Sequence, residues 1–172
     1  MLRLISIVLL IYSFFVIQTS IPTLPARIPT HFNAEGVANG WGSPDTLWIL
    51  FGAQALVSFV FLTIPLLSQI IPGAIHFGTR RLSDFPPDKQ PQMISMLNDM
   101  AACMSIVINL FFVFFVTDMV RAVAQPIPHL HPILPLVLLF AGMFAILFYY
   151  GARFYRAADD ASSGNPQNKI RS

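Results

Sequence analysis

The stretch MSIVINLFFVFFVT, residues 104–117, decides the class of this protein. It belongs to a longer run, between Asp99 and Asp118, that contains no charged side chain. A helix that crosses the hydrocarbon core of a bilayer needs about 20 mainly apolar residues. Residues 93–123 are therefore predicted to form a transmembrane helix, with Asn98 and Asp99 placing its first turns in the membrane interface.

The composition of the whole chain supports the same conclusion. Of its 172 residues, 55% are hydrophobic and 10% are charged, whereas a soluble domain has about 25% charged residues. This balance argues against a soluble domain and a disordered chain, and the single cysteine argues against a disulfide-stapled secreted domain. Three further apolar segments, 4–19, 46–71 and 133–150, also meet the length requirement. We expect an all-α fold, an integral membrane four-helix bundle.

The two ends of the chain differ from its apolar body. The first segment could be a cleaved signal peptide, but only Arg3 precedes the apolar run and no Ala-x-Ala site follows it, which favours an uncleaved helix. Residues 159–172 are polar and contain Gly and Pro, which predicts a disordered cytoplasmic tail. The expected organisation is a four-span membrane domain over 1–158 and a tail over 159–172.

The placement of the basic residues predicts an orientation. With four spans, eight of the ten Lys and Arg residues fall on the side of the two termini, and only Arg27 and Arg121 fall on the other side. Cytoplasmic segments carry the excess of Lys and Arg, so we expect both termini inside the cell. The segment between the second and third helices, about 72–92, mixes apolar and basic residues and is predicted to lie at the lipid headgroups or to form a solvated loop.

Polar residues inside the spans predict which helix faces meet. At 100° per residue, the second and third helices each have a stripe of residues within a narrow sector. The stripe of the second helix comprises Gln54, Ser58, Pro65 and Ser68. The stripe of the third helix comprises Asn98, Ala102, Ser105 and Asn109. The two stripes are expected to face each other, either as interhelical packing or as a polar cavity that holds a ligand. Met93, Met96, Met100 and Met104 recur at helical spacing and predict a packing face. The fourth helix has little polarity and is expected to face lipid.

The first outer segment, residues 24–43, reads LPARIPTHFNAEGVANGWGS and has the most specific pattern in the chain. Pro25 and Pro29 favour an extended entry. Glu35-Gly36 and Asn39-Gly40 are turn signals in which glycine would supply a positive φ. We expect an ordered outer loop between helices 1 and 2 that folds back onto the mouth of the bundle.

This segment resembles a small bacterial membrane domain of unknown function that is also found at the N-terminus of SdpI-type immunity proteins. The resemblance extends over roughly the first 70 residues and is carried by about 20 of them, which match as Leu24-Pro25, Ile28-Pro29, His31-Phe32-Asn33, Gly36, Asn39-Gly40 and Trp41-Gly42-Ser43. It departs from the family pattern at two positions, with Asn39 where Asp is usual and Pro44 where Lys is usual. Any chemistry of that acid or base would be absent here.

The resemblance implies a location and a role. Some SdpI-type proteins look like receptors that protect a cell from a secreted antimicrobial peptide and pass a signal to a repressor. It implies a multi-pass protein of the bacterial inner or plasma membrane. The family motif supplies the candidate ligand-binding residues, which are Pro29, His31, Asn33, Gly36, Asn39, Gly40, Trp41 and Ser43.

Residues that could support catalysis or bind a metal ion are sparse. His31, His129 and His131 fall on the predicted outer side with Glu35, Asp45 and Asp118, so an outer zinc-type site is an alternative, although no recognised ligand spacing links the two loops. Gly-x-Ser-x-Gly, His-Glu-x-x-His and phosphate-binding glycine loops are missing from the sequence. We expect no enzyme activity, no cofactor and no metal.

Three functional hypotheses remain after these exclusions. The first is a membrane-embedded, non-catalytic binding or sensing protein whose outer loop recognises a ligand. The second is a small structural or accessory subunit of a larger membrane transport complex. The third, a channel or transporter, would need the polar stripes to line a pathway. The expected partners are the lipid bilayer and a peptide ligand or a membrane protein, and no nucleic acid.

Overall fold

Four long helices dominate the computed structural model, which describes residues 1–71, 75–77, 80–131 and 133–163. All four are long and apolar enough to cross a membrane, and they indicate a multi-pass membrane protein. Their bounds are Leu2–Ser20 for α1, Thr46–Ile70 for α2, Gln90–Ala122 for α3 and Ile133–Ser163 for α4.

The helices begin and end close to the predicted positions at most of their termini, and α4 is the exception. It continues to Ser163, 13 residues beyond its predicted end at Tyr150. Residues 159–163 of the predicted tail are thus helical, and the rest of that tail lies outside the described residues. The extension has a packing cause, because Tyr150 and Phe154 contact a hydrophobic cluster at this end of the bundle.

Helix α3 is the central helix of the bundle, because it packs against each of the other three. A third of its apolar window is buried, whereas only 6% of the α4 window is buried. Small side chains such as Ala101, Ala102 and Ser105 lie in its buried face and let neighbouring helices approach closely. Helix α4 is thus the most exposed of the four helices, in line with the prediction that it faces lipid more fully than the others.

The segment between α1 and α2 forms an antiparallel hairpin of two strands, β1 (Ile28–Phe32) and β2 (Ala38–Gly42). Its register pairs Ile28 with Gly42 and Phe32 with Ala38. The pairing register of the strands shifts on both sides of His31. The sequence did not indicate strands here, since proline and glycine are unfavourable in them. We call this end of the bundle the hairpin end, and the opposite end, where α1 begins and α4 ends, the termini end.

A hydrophobic cluster, the hairpin-end cluster, fixes the hairpin to the helices. Its buried members come from α1, β1, α2, α3 and the α3–α4 connection, and they are Ile17, Ile28, Leu47, Val116, Met119, Ala122 and Leu130. The expectation of an ordered loop folded onto the bundle agrees with this packing, because Ile28 in β1 is only 1% exposed.

A second cluster, the termini-end cluster, lies at the other end. Its buried members are Leu82, Phe85, Met93, Met96 and Tyr150. Two short strands, β3 (His76–Phe77) and β4 (Arg80–Arg81), and a turn of 3-10 helix lead into it. Leu82 and Phe85 are buried within the protein, so the solvated loop predicted for this region is wrong for these two residues, and the position of the segment at the lipid headgroups stays a prediction. The predicted methionine packing face is confirmed by the burial of Met93, Met96 and Met104.

A polar layer lies between the two clusters, where α2 meets α3. Gln54 Nε2 donates a 2.8 Å hydrogen bond to Asn109 Oδ1, and Asn109 Nδ2 donates a 2.9 Å bond to Ser58 Oγ. Asn109 Nδ2 also reaches the Ser105 carbonyl oxygen at 2.8 Å. The prediction that the two stripes face each other is confirmed for these four residues, and the side chains of Pro65 and Ser68 lie outside the described part of the chain.

Candidate functional site

The turn of the hairpin is built by one side chain and one glycine. Asn33 Oδ1 accepts a 2.8 Å hydrogen bond from the amide of Val37, and the Asn33 carbonyl accepts a 2.9 Å bond from the amide of Gly36. Gly36 has a φ of +85°, a conformation that glycine adopts without the strain caused by a Cβ atom. The turn predicted at Glu35-Gly36 is confirmed, with the positive φ at the expected residue.

The second predicted turn, at Asn39-Gly40, is wrong, because both residues lie inside β2. Gly40 is needed for a different reason. A Cβ atom at this position would lie 2.7 Å from the Cβ atom of His31 on β1, a distance at which one of the strands must move. The missing side chain therefore lets the two strands approach at the point where the register shifts.

His31 and Asn39 contact each other across the hairpin. The imidazole Nδ1 of His31 and the amide Oδ1 of Asn39 form a hydrogen bond, and both residues are exposed. Because Oδ1 can only accept, this hydrogen bond forms when the proton of the ring is on Nδ1. In the neutral ring with that tautomer, Nε2 has a lone pair that can accept a hydrogen bond from a ligand.

Trp41 lies two residues after Asn39 in β2, on the other side of Gly40, where the register shifts. It is 48% exposed, which is a large apolar surface for a side chain held in a strand. Arg27, which precedes β1, donates a 3.4 Å hydrogen bond from Nη2 to the carbonyl oxygen of Trp41. This bond links the chain segment before β1 to β2. We call these three exposed residues of the hairpin, His31, Asn39 and Trp41, the hairpin face.

The end of the hairpin is joined directly to α2. Ser43 Oγ accepts a 3.3 Å hydrogen bond from the amide of Asp45, and the Ser43 carbonyl accepts a 2.7 Å bond from Thr46 Oγ1. Ser43 thus shapes the first turn of α2, where helix amides need partners outside the helix. In this position it has a structural role next to the hairpin face.

A third chain segment, residues 128–130, holds the hairpin from the side of α3 and α4. Val37 pairs with His129 in an antiparallel bridge, the amide of Ala38 donates a 3.0 Å bond to the Pro128 carbonyl, and the amide of Leu130 donates a 2.9 Å bond to the Gly36 carbonyl. We call these contacts the clip. Sequence reasoning missed it, because Pro128-His129-Leu130 has no strand pattern and lies about 90 residues from its partners in the chain.

The structure separates the eight motif residues by role. Pro29 is buried, Asn33 and Gly36 shape the turn, Gly40 permits the close approach of the strands, and Ser43 shapes the turn before α2. The remaining three, His31, Asn39 and Trp41, are exposed, as are Asn33 and Ser43, and are available to a ligand.

The three histidines of the hairpin end are not arranged as the alternative metal site would require. The rings of His129 and His131 have centroids 4.8 Å apart, while the His131 amide donates to Asp118 Oδ2 at 3.0 Å, and His31 is engaged with Asn39 instead. Within residues 1–71, 75–77, 80–131 and 133–163, the chain has no group of three or more His, Cys, Asp or Glu side chains that could hold a metal ion. A site made from these three histidines therefore has no support in the geometry.

Comparison with known protein families gives a match over part of the chain. No curated protein and no solved structure matches the chain. Residues 7–57 match the family model described as "Domain of unknown function (DUF1648)". The matched residues include most of α1, the whole hairpin and the first half of α2, so the hairpin face lies entirely within the part of the chain that is similar to DUF1648.

Proposed function

We propose that this protein is a non-catalytic binding and sensing protein of a bacterial cell membrane, and that its hairpin face recognises an extended peptide outside the cell. The observation that carries the proposal is the contrast between how the hairpin is held and what it presents. Ile28 and Pro29 are buried and the clip holds the turn, yet His31, Asn39 and Trp41 remain exposed on the same strands. A surface fixed in this way loses little conformational entropy when a ligand binds.

The chemistry of the hairpin face favours a peptide. The hairpin is a two-stranded sheet. The clip occupies the outer edge of β2 at Ala38, so the edge of β1 that faces away from β2 is the one that a peptide would use. An extended peptide can add to such an edge through main-chain hydrogen bonds. Trp41 offers an aromatic surface for an apolar side chain, and Nε2 of His31 offers an acceptor for a donor group on the ligand.

The proposed membrane placement follows from charge. Among the described residues, Arg3, Arg81, Lys89, Arg153 and Arg156 lie at the termini end, while the hairpin end has Arg27 and Arg121. The termini end is therefore the cytoplasmic end under the rule that basic residues stay inside. Both termini would be inside, and the hairpin face would meet molecules that arrive from outside.

Sensing requires a path from the hairpin face to the cytoplasmic end, and the clip offers its first step. It joins the hairpin to the connection between α3 and α4, and α3 continues to the termini-end cluster. A ligand that changes the hairpin's position would thus act on the central helix. The resemblance to the N-terminal domain of SdpI-type immunity proteins is consistent with a secreted antimicrobial peptide as the ligand.

The absence of catalysis is part of the proposal. The three side chains of the hairpin face lie on an open surface, where water has free access and electrostatic stabilisation of a transition state is weak. Binding at such a surface needs complementarity but no excluded water. We therefore assign recognition to this surface and no reaction.

A second role, as an accessory subunit of a larger membrane complex, is favoured by α4. Many large apolar side chains of this helix are exposed, including Val137, Phe140, Phe144 and Phe148, the last at 81%. Lipid would cover them in a monomer, whereas helices of a partner would cover them in a complex. The two roles differ in whether the hairpin face or the α4 face mediates recognition.

A selection experiment tests the proposal. Protein reconstituted in nanodiscs is presented to a library of random linear peptides displayed on phage, in parallel with Trp41→Ser and with His31→Ala. The exposed turn variant Glu35→Gln is the matched control. Peptides that bind the wild type and the control, and lose affinity for the two face variants, would support recognition at the hairpin face.

The proposal fails if the wild type enriches no peptide, or if the enriched peptides bind all four proteins equally. Constant copurification with one membrane protein, abolished by replacing Phe144 and Phe148 with Ser and unaffected by Trp41→Ser, would assign the accessory role instead.

A further inference from the structure

A polar pocket lies at the termini end, where α1 begins beside α3. Its volume is about 360 Å³. The lining residues come from the first turn of α1 and from one face of α3, and they are Met1, Leu2, Arg3, Asn98, Asp99 and Ala102. This pocket is far from the hairpin face, and the proposed recognition of a peptide does not use it.

The groups that line the pocket have complementary chemistry. Arg3 contributes a guanidinium group, which suits a phosphate, and Asp99 contributes a carboxylate, which suits an ammonium group. Asn98 lies in the same lining, and its Oδ1 is buried without a hydrogen-bond partner. A ligand that brings N–H donors would satisfy this oxygen after a rotation of the amide.

The depth of the pocket corresponds to the lipid headgroups. The apolar run of α1 begins directly after Arg3. Helix α3 begins nine residues before Asp99, so at 1.5 Å per residue it extends about 14 Å beyond the pocket, away from the hairpin end. Leu4, Ile5 and Val8, which follow in α1, are exposed and would lie beside acyl chains. A polar pocket above an exposed apolar surface fits an amphipathic ligand.

We propose that this pocket binds the headgroup of a zwitterionic lipid with a primary ammonium group, such as phosphatidylethanolamine. Its phosphate pairs with Arg3, and its ammonium group donates hydrogen bonds to Asp99 and Asn98. The choice of ligand follows from charge complementarity, because the side chains of the pocket offer one cation for the phosphate and one anion for the ammonium. The inference rests on the membrane insertion proposed above and is independent of the peptide.

Native mass spectrometry of the purified full chain tests the inference. The protein is mixed with phosphatidylethanolamine, phosphatidylcholine or phosphatidylglycerol of identical acyl chains. Phosphatidylcholine keeps both charges but has no N–H donor, and phosphatidylglycerol has no cation. We expect the wild type to retain phosphatidylethanolamine best, and we expect Asp99→Asn to reduce that retention roughly threefold, the scale of an exposed charge pair.

Arg3→Gln should weaken retention of all three lipids, because it removes the phosphate partner. Arg153→Gln is the matched control, since Arg153 is an exposed cation at the same end that does not line the pocket. Equal thermal stability of the variants would establish that each one folds.

Equal retention of phosphatidylethanolamine and phosphatidylcholine by the wild type, or unchanged selectivity in Asp99→Asn, would overturn the inference. Soluble glycerophosphoethanolamine that binds as tightly as the lipid would overturn the lipid as the source of the headgroup. Cysteine labelling in whole cells distinguishes a failure of this inference from a failure of the proposed membrane placement. A chain that does not insert into the membrane would contradict that placement before any lipid is added.

Discussion

The amide of Leu130 donates a 2.9 Å hydrogen bond to the carbonyl oxygen of Gly36, across about 90 residues of chain. Gly36 also has a φ of +85°, and a Cβ atom there would collide with the Leu130 carbonyl oxygen. One glycine thus determines both the turn of the hairpin and its attachment to the α3–α4 connection.

Gly36→Ala is expected to open the clip and to destabilise the protein by about 1–3 kcal/mol, the usual cost of a residue held in a strained backbone region. The measurement is thermal unfolding in detergent, together with hydrogen exchange of the Ala38 and Leu130 amides. Gly151→Ala is the control, because a Cβ atom there meets nothing within 4 Å. Equal melting temperatures and equal exchange in the two variants would contradict the role given to the clip.

Gly40→Ala should disturb the hairpin face without affecting the helices. The added methyl group would lie 2.7 Å from the His31 Cβ atom, so the strands must separate, at a cost of about 1–3 kcal/mol as for other overpacked sites. Tryptophan fluorescence is a suitable measurement, since Trp41 lies in the same strand. Gly52→Ala in α2, where nothing lies within 4 Å of the new atom, should keep the wild-type spectrum, and a wild-type spectrum in Gly40→Ala would refute the close approach.

The polar layer should behave as a coupled unit. Asn109→Leu removes partners from both Gln54 and Ser58, and Gln54→Leu removes one of the partners of Asn109. In a double-mutant cycle we expect a coupling energy of about 0.6 kcal/mol, the average for hydrogen bonds between membrane helices, and at most about 1.7 kcal/mol. Thr63→Val serves as the control, because Thr63 Oγ1 bonds to carbonyl oxygens of its own helix. The change in the free energy of unfolding caused by Thr63→Val should add to the change caused by Asn109→Leu. If the changes caused by Gln54→Leu and Asn109→Leu were also additive, the coupling would be contradicted.

Leu82 provides a test of the termini-end cluster. It is fully buried, so Leu82→Ala should cost about 2–5 kcal/mol, as for other large-to-small core substitutions. Limited proteolysis should then cut the C-terminal turns of α4 faster. Leu138→Ala, at a side chain that is 55% exposed, should change neither stability nor cleavage. If both variants behave alike, the segment before α3 does not pack as described.

The orientation can be measured by cysteine labelling of whole cells. Cys103 is replaced by Ala, and single cysteines are placed at Glu35 in the hairpin turn or at Asp88 before α3, which are both exposed. A membrane-impermeant maleimide should label Glu35→Cys directly and Asp88→Cys only after permeabilisation. The reverse pattern would place the hairpin face in the cytoplasm and overturn the proposed extracellular ligand.

Periodicity and length predicted the helices well, because the bilayer restricts the choice to long apolar segments. The meeting of Gln54 with Asn109 followed from the same spacing, since few polar residues in the spans leave few possible faces. The hairpin was harder to predict. β1 contains Pro29 and β2 contains two glycines, so local preference argued against strands, and tertiary contacts decided the outcome.

Long-range contacts account for what the sequence could not reveal. Asn39-Gly40 has the composition of a turn, but its glycine serves the approach of His31 from the opposite strand. The clip depends on His129 and Leu130, and no local sequence pattern predicts that this segment contacts the hairpin at Gly36 and Val37. The extra turns of α4 depend on Leu82 and Phe85, which pack from a segment that hydropathy alone would leave at the surface.

The central position of α3 has a consequence for the domain that residues 7–57 match. Within that region, Ile17, Ile28 and Leu47 form one side of the hairpin-end cluster, and Val116, Met119 and Ala122 of α3 form the other side. The matched segment therefore lacks half of its own interior and is not an autonomous folding unit in this chain. In this chain α3 supplies the missing half, so the position of the hairpin is tied to a helix that lies outside the matched segment.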